Sequence, residues 1–158
     1  MIIRRAALKD MDRVLELLSQ VLEIHAKLRP DIFNSGTTKY SKEQFQEMVN
    51  DDNNPIYVAV DDHDLLGYMF CEIINPKFSS TMKPNKTFYI DDICVDEKYR
   101  QKKIGQALFD FAKKEAERLN CYEVALYLWE GNDPAKKFYE KMGMKVKALT
   151  MEYIVKID

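Results

Sequence analysis

The sequence is poor in the residues that build metal and disulfide sites. It has two histidines and three cysteines in 158 residues. Cys71, Cys94 and Cys121 are far apart and odd in number, and none forms a CxxC pair. Neither a zinc site nor a disulfide framework is indicated, and no bound metal is expected. Reduced, mostly buried thiols in a cytoplasmic protein are the expectation. Positive charge is not in surplus: 24 Lys and Arg stand against 26 Asp and Glu. No basic field therefore argues for a nucleic-acid partner. No apolar run is long enough to span a membrane, and "MIIRRAALKD" lacks the apolar core of a signal peptide. With five glycines in all, neither a GxxxxGK[ST] loop nor a three-glycine dinucleotide fingerprint occurs.

What remains is an ordinary globular mix, 46% apolar and 32% charged. The length suits one domain spanning 1–158, with a full core. "MIIRRA" reads as a strand. Met11, Val14, Leu15, Leu18, Val21, Leu22 and His25 recur at helical spacing, and Pro30 should end that helix. Ser41 and Gln44 have the spacing of a capping box for a second helix. "PIYVAV" and "LLGYMFCEII" read as a hairpin around "DDHD", and "TFYIDDICV" as a third strand of this group. A helix from about Lys102, a strand "YEVALYLWE", and a helix "NDPAKKFYEKMG" follow, with Asp133 as cap, Pro134 at the first helical position and Gly143 as stop. "MKVKALTMEYIVKID" should supply closing strands. The class is mixed α/β, with one strand–helix–strand crossover and antiparallel neighbours elsewhere.

The segment from Tyr99 to Leu119 opens basic and carries one glycine. Its helix should begin at the C-terminal end of a strand. Free N–H groups and the positive end of the helix dipole meet there, which favours an anion. Gly105 removes a side chain where a phosphate needs close approach, and Arg100, Lys102 and Lys103 add charge. Taken alone, the same residues describe a solvated helix start.

Two stretches carry more. "ICVDEKYRQKKIGQAL" resembles the acyl-CoA-binding segment of the GNAT superfamily, the acyl-CoA-dependent N-acyltransferases. In that family a hydrophobic strand and a short turn precede a helix start with glycine at its fourth and sixth positions. Arg100, Gln101, Lys102, Ile104 and Gly105 stand in the corresponding places, followed by Gln106, and Lys103 replaces the first glycine. "NDPAKKFYEKMGM" resembles the family's later helix, with Asn132, Ala135, Phe138, Tyr139 and Gly143 in place.

The resemblance implies a twisted mixed sheet of six to seven strands flanked by about four helices. It implies transfer of an acetyl group from acetyl-CoA to a primary amine, with a small cationic acceptor favoured by the slightly acidic balance. A protein amine is the alternative, as is a non-catalytic CoA-binding module on the same fold. The molecule is expected to be a monomer or homodimer. Ile93, Cys94 and Val95 would line the acyl and pantetheine arm, and Asn132 and Ala135 would meet it from the helix. Tyr139 would protonate the departing thiolate, although it also lies on an apolar stripe and could be core. Asp91 would be the base or would order a water. Strand alternation sends Asp92 to the other face, toward the acceptor or into a structural pair. His25, Arg29 and Phe33 would shape the acceptor site. His25 also fits as a packed residue, and the Cys94 side chain is expected to be inert.

Overall fold

Residues 1–156 are described in the computed structural model. Five strands form one sheet in the order β1 (Ile2–Arg5), β2 (Ile56–Asp61), β3 (Asp64–Ile74), β4 (Thr87–Val95), β5 (Glu123–Leu126). The first three pairings are antiparallel and β4–β5 is parallel. Four α-helices lie between or after them: α1 (Met11–Leu28), α2 (Lys42–Met48), α3 (Ile104–Arg118) and α4 (Asp133–Lys141).

The helices follow their local chemistry. α1 stops at Leu28, before Pro30. At α2 the Gln44 N–H donates to Ser41 Oγ (3.2 Å), and the Ser41 N–H donates to Gln44 Oε1 (2.8 Å). α4 is capped by Asn132 and not Asp133: Asn132 Oδ1 accepts from the Ala135 N–H, and Asp133 and Pro134 fill the first turn.

The sheet carries a core on each face. Val14, Leu17, Leu18 and Phe45 of α1 and α2 pack on Val58, Tyr68, Phe70 and Cys94. Ile104, Leu108, Phe109 and Ala112 of α3 pack on Ala59, Met69, Phe88 and Ile90. Each fully buried large side chain contributes about 1.5–3 kcal/mol, so these two layers hold β3 and β4 rigidly in the middle.

Three expectations are corrected. The sheet has five strands among the described residues, because 145–156 runs on without strand pairing. The last two residues of that expected strand material, Ile157 and Asp158, lie outside the described residues. β5 ends at Leu126, well short of Glu130. Alternation also fails at Asp91. The β3–β4 register steps from Phe70↔Asp92 to Cys71↔Ile90, so Asp91 is the extra residue of a β-bulge. Asp91 and Asp92 therefore reach the same ammonium, that of Lys39, at 3.0 and 3.8 Å.

Candidate active site

β4 and β5 are paired only from Thr87↔Glu123 to Ile90↔Leu126. β4 then continues for five residues while β5 ends. The two chains diverge, and the β5-facing edge of β4 from Asp91 to Val95 is left without a strand. Strand-edge N–H and C=O groups need partners, and an extended ligand with amides can supply them. A cleft of about 560 Å³ fills this opening.

The cleft runs on to the start of α3. Gln101 and Lys103 both hold left-handed backbone angles, φ 65° and 60°. Lys103 thus adopts the conformation that a glycine would take without cost, and not the negative φ that lysine prefers. Left-handed residues before a helix turn successive N–H groups inward as an anion-binding nest. Arg100, Gln101, Lys103, Ile104, Gly105 and Gln106 line this end. Lys102 does not: its ammonium lies over the Tyr99 ring, 5.2 Å from the centroid, outside the cleft. Gly105 sits in this wall, beside α4. A Cβ there would touch the Phe138 ring at 3.4 Å, an ordinary contact, so α3–α4 packing by itself does not require glycine at this position.

α4 forms the facing wall with Asn132, Ala135, Phe138 and Tyr139. The Tyr139 ring packs on Phe138 and Phe109, with centroids 5.1 and 6.2 Å apart. Burial, and then the charge of Asp92, push its hydroxyl well above the usual tyrosine range. It stays protonated at neutral pH.

The carboxylates differ in surroundings. Asp91 pairs with the Lys39 ammonium and accepts a short hydrogen bond from the Tyr40 hydroxyl. Asp92 is buried at 8% exposure and accepts from the Tyr68 hydroxyl at 2.7 Å. Burial pushes the Asp92 carboxyl up to about 6, although Tyr68 and Lys39 favour its charged form. Cys94 is buried beside it, and burial pushes that thiol up to about 12, which keeps it un-ionised and inert.

At the open end, His25 stacks at a tilt on Phe33 (5.3 Å), and Phe33 meets the edge of Trp129 (5.2 Å). Burial lowers the His25 pKa, so the ring is neutral. His25 and Trp129 line the cleft; Arg29 and Phe33 stand behind them. Arg29 pairs with Asp31 and Glu152, each at 2.7 Å.

Sequence reasoning missed Lys39, Tyr40, Tyr68, Trp129 and Asp96. The last is fully buried at the end of β4. It holds the turn before α3 through Arg13, Gln20 and the Lys98 N–H. An aspartate after a strand gives no signal that it will be buried. Among the described residues, no group of three His, Cys, Asp or Glu side chains could hold a metal.

Comparison with known proteins agrees with this geometry. The model of the Acetyltransferase (GNAT) family matches residues 18–144. Glucosamine 6-phosphate N-acetyltransferase 1 of Dictyostelium discoideum is 30% identical over 118 residues, 72% of this chain and 73% of that one. Glucosamine 6-phosphate N-acetyltransferase of Arabidopsis thaliana is 35% identical over 66 residues, a match that spans only 42% of either chain. The crystal structure of a mutant of the BH1408 protein from Bacillus halodurans superposes with a TM-score of 0.92. It shares 33% identity, over 98% of this chain and 99% of that one. The divergence of β4 and β5, an anion nest at a helix start and a family match over most of the length place this chain in the Acetyltransferase (GNAT) family.

Proposed function

We propose that the protein transfers the acetyl group of acetyl-CoA to a primary amine of a small, cationic acceptor. One observation carries the reading: the unpaired edge of β4 leads directly into the nest at the start of α3, with the Tyr139 ring on the opposite wall. A strand edge suits the amides of a pantetheine arm, and the nest with Arg100 and Lys103 suits a pyrophosphate. Ile93 and Val95 turn their backbone N–H groups to the free edge, where they can polarise a thioester carbonyl, while the Cys94 N–H turns toward β3. Asn132 and Ala135 flank the arm from α4.

The amine enters past His25 and Trp129. An alkylammonium with a pKa of about 10.4 costs roughly 4–5 kcal/mol to deprotonate at neutral pH, so a proton acceptor is needed. We assign that role to Asp92, directly or through water, because it lines the cleft and burial pushes its carboxyl up to about 6, near the working pH. Asp91 faces the same space but is held by Lys39 and Tyr40, and we assign it to holding the acceptor's ammonium once Lys39 yields. Tyr139 gives its proton to the departing thiolate.

A screen of amines with acetyl-CoA at mildly alkaline pH, reading free thiol, tests the reading. Tyr139→Phe should bind CoA within a few-fold of the parent and lose roughly 10–10³ in kcat, the scale of one acid–base group. CoA binding without thiol release from any amine would leave a non-catalytic CoA module as the better account.

A further inference from the structure

We infer that Lys39 is a site of self-modification, taking the acetyl group onto its own Nζ in the cleft when no external amine is bound. The inference rests on the acetyl-transfer reading above. Lys39 lies in the connection 29–41 between α1 and α2. Its ammonium stands 3.0 Å from Asp91 Oδ1 and 3.8 Å from Asp92 Oδ2. It also donates to the Asp91 carbonyl oxygen at 3.1 Å. A primary amine thus already stands beside the proposed base, where an acceptor must come. Burial and then the Lys39 charge lower the pKa of His25, which is itself on the wall of the cleft.

No other lysine among the described residues is placed in this way. Lys42, Lys113 and Lys147 pair with Asp12, Asp110 and Glu123, none of which lines the cleft. Lys103 and Lys141 do line it, yet neither forms an ion pair among the described residues, so no carboxylate stands ready for their protons. Lys39 is also loosely held at its tip. The side chain is 38% exposed, and apart from the two aspartates its ammonium meets the Tyr40 ring, 5.6 Å from the centroid. Tyr40 pins the backbone beneath it. Its ring stacks on Phe70 with centroids 4.9 Å apart, and its hydroxyl donates to Asp91. The root of the Lys39 side chain is therefore fixed while its end can swing.

The reach is short. Asp91 is the first residue of β4 past its last pairing with β5, so the ammonium sits where the strands part. Ile93 is two residues on, about 7 Å along the strand. A thioester carbonyl accepting from its N–H lies about 3 Å beyond that edge. A flexible lysine stem covers this by rotation about its own bonds. Asp92 takes one proton from the ammonium. The Nζ lone pair then forms a C–N bond to the thioester carbon, and the C–S bond breaks. The Tyr139 proton goes to the thiolate, and the second proton leaving Nζ restores Tyr139. The products are an amide at Lys39, free CoA and one proton, which Asp92 passes to solvent. A tethered amine needs no encounter, so the step proceeds without an acceptor. The amide carries no charge and leaves Asp91 and Asp92 to the ammonium of an incoming acceptor.

Incubation of the full chain with acetyl-CoA and no amine, followed by peptide mass mapping, tests this. One acetyl group should appear on Lys39 before any appears on the surface lysines. The fraction modified per unit time should not change when the protein is diluted, and an amine that releases thiol in the screen should suppress it. Asp92→Asn and Tyr139→Phe should each slow it by roughly 10–10³. Lys39→Arg, which keeps the charge, should leave the chain unmodified over the same time. Acetyl groups spread over surface lysines, a rate that follows protein concentration, or a rate unmoved in both slowed variants overturns the inference. An unmodified Lys39 alongside thiol release from an added amine also overturns it and leaves the transfer reading standing. An unmodified Lys39 with no thiol release from any amine rejects both.

Discussion

Lys103 departs from the family pattern in residue type but not in backbone shape. At φ 60° it carries the strain of a side chain in the left-handed region, about 1–2 kcal/mol. Lys103→Gly should therefore raise stability by about 1 kcal/mol, less the entropy that glycine returns to the unfolded chain. The same change removes a cation from the wall of the cleft, so CoA binding should weaken and its salt dependence flatten. Denaturant midpoints and calorimetry at two ionic strengths read both effects. A variant no more stable than the parent would show that the nest, and not the residue, sets that angle. Asp92 is the other residue whose surroundings decide its role. The limb of the kcat/KM–pH profile that rises near pH 6 should vanish in Asp92→Asn and persist in Asp91→Asn. The reverse pattern would return the base to Asp91.

At the scale of elements, the cleft exists because β4 outlasts β5. The end of β4 is set by a contact that the sequence does not advertise. A Cβ on Gly67 of β3 would stand 2.6 Å from the Cys94 carbonyl oxygen and 3.3 Å from Val95 Cα. Those atoms are backbone and cannot swing aside. Gly67→Ala should push the end of β4 toward the cleft, cost about 1–3 kcal/mol, and weaken CoA binding several-fold. Thermal melts and calorimetry measure it; unchanged CoA affinity would mean that the arm does not use this edge. The helices were largely legible. Ser41 and Gln44 announce α2, Pro30 the end of α1, and Gly143 the end of α4. The bulge at Asp91 was not, because it arises from the mismatch between β3 and β4 and leaves no mark in either strand alone.

For the whole molecule, buried charge makes stability depend on pH in two directions. Burial raises the Asp10 and Asp96 carboxyls. Arg4 and the Ala7 N–H outweigh this for Asp10, and the Lys98 N–H, Gln20 and Arg13 do so for Asp96, so both end below the usual range. Their contribution is present above about pH 4, the unfolded carboxylate value, and is lost as pH falls further. Asp92 has the opposite sign. Its folded pKa of about 6 lies above the unfolded value, so the folded state holds that proton more tightly. Stability from this group is full below about pH 4, declines as pH rises through 6, and stays reduced above it. The two-unit difference corresponds to about 3 kcal/mol. Asp92→Asn should be more stable than the parent at pH 7.5 by up to about that amount and equal to it near pH 4, while losing turnover. Urea unfolding at the two pH values checks it; a variant less stable at pH 7.5 would make the Lys39–Asp92 pair the dominant interaction.

The sequence by itself determined the run of elements from β1 to α4 and the stretches that hold the site, since periodicity, caps and turn residues act over a few neighbours. It also placed Arg100 to Gln106 and Asn132 to Tyr139 at two helix starts, where local chemistry aims backbone N–H groups. Only the tertiary structure decided that Asp91 and Asp92 share one side of β4, that Lys39 and Tyr40 cover them, and that Lys102 faces away. Only it decided that the last segment stands apart from β5. Those outcomes depend on register, on the end of a strand ladder, and on contacts between residues some 50 positions apart. Strand pairing and burial are settled between distant parts of the chain, so no short stretch of sequence carries them.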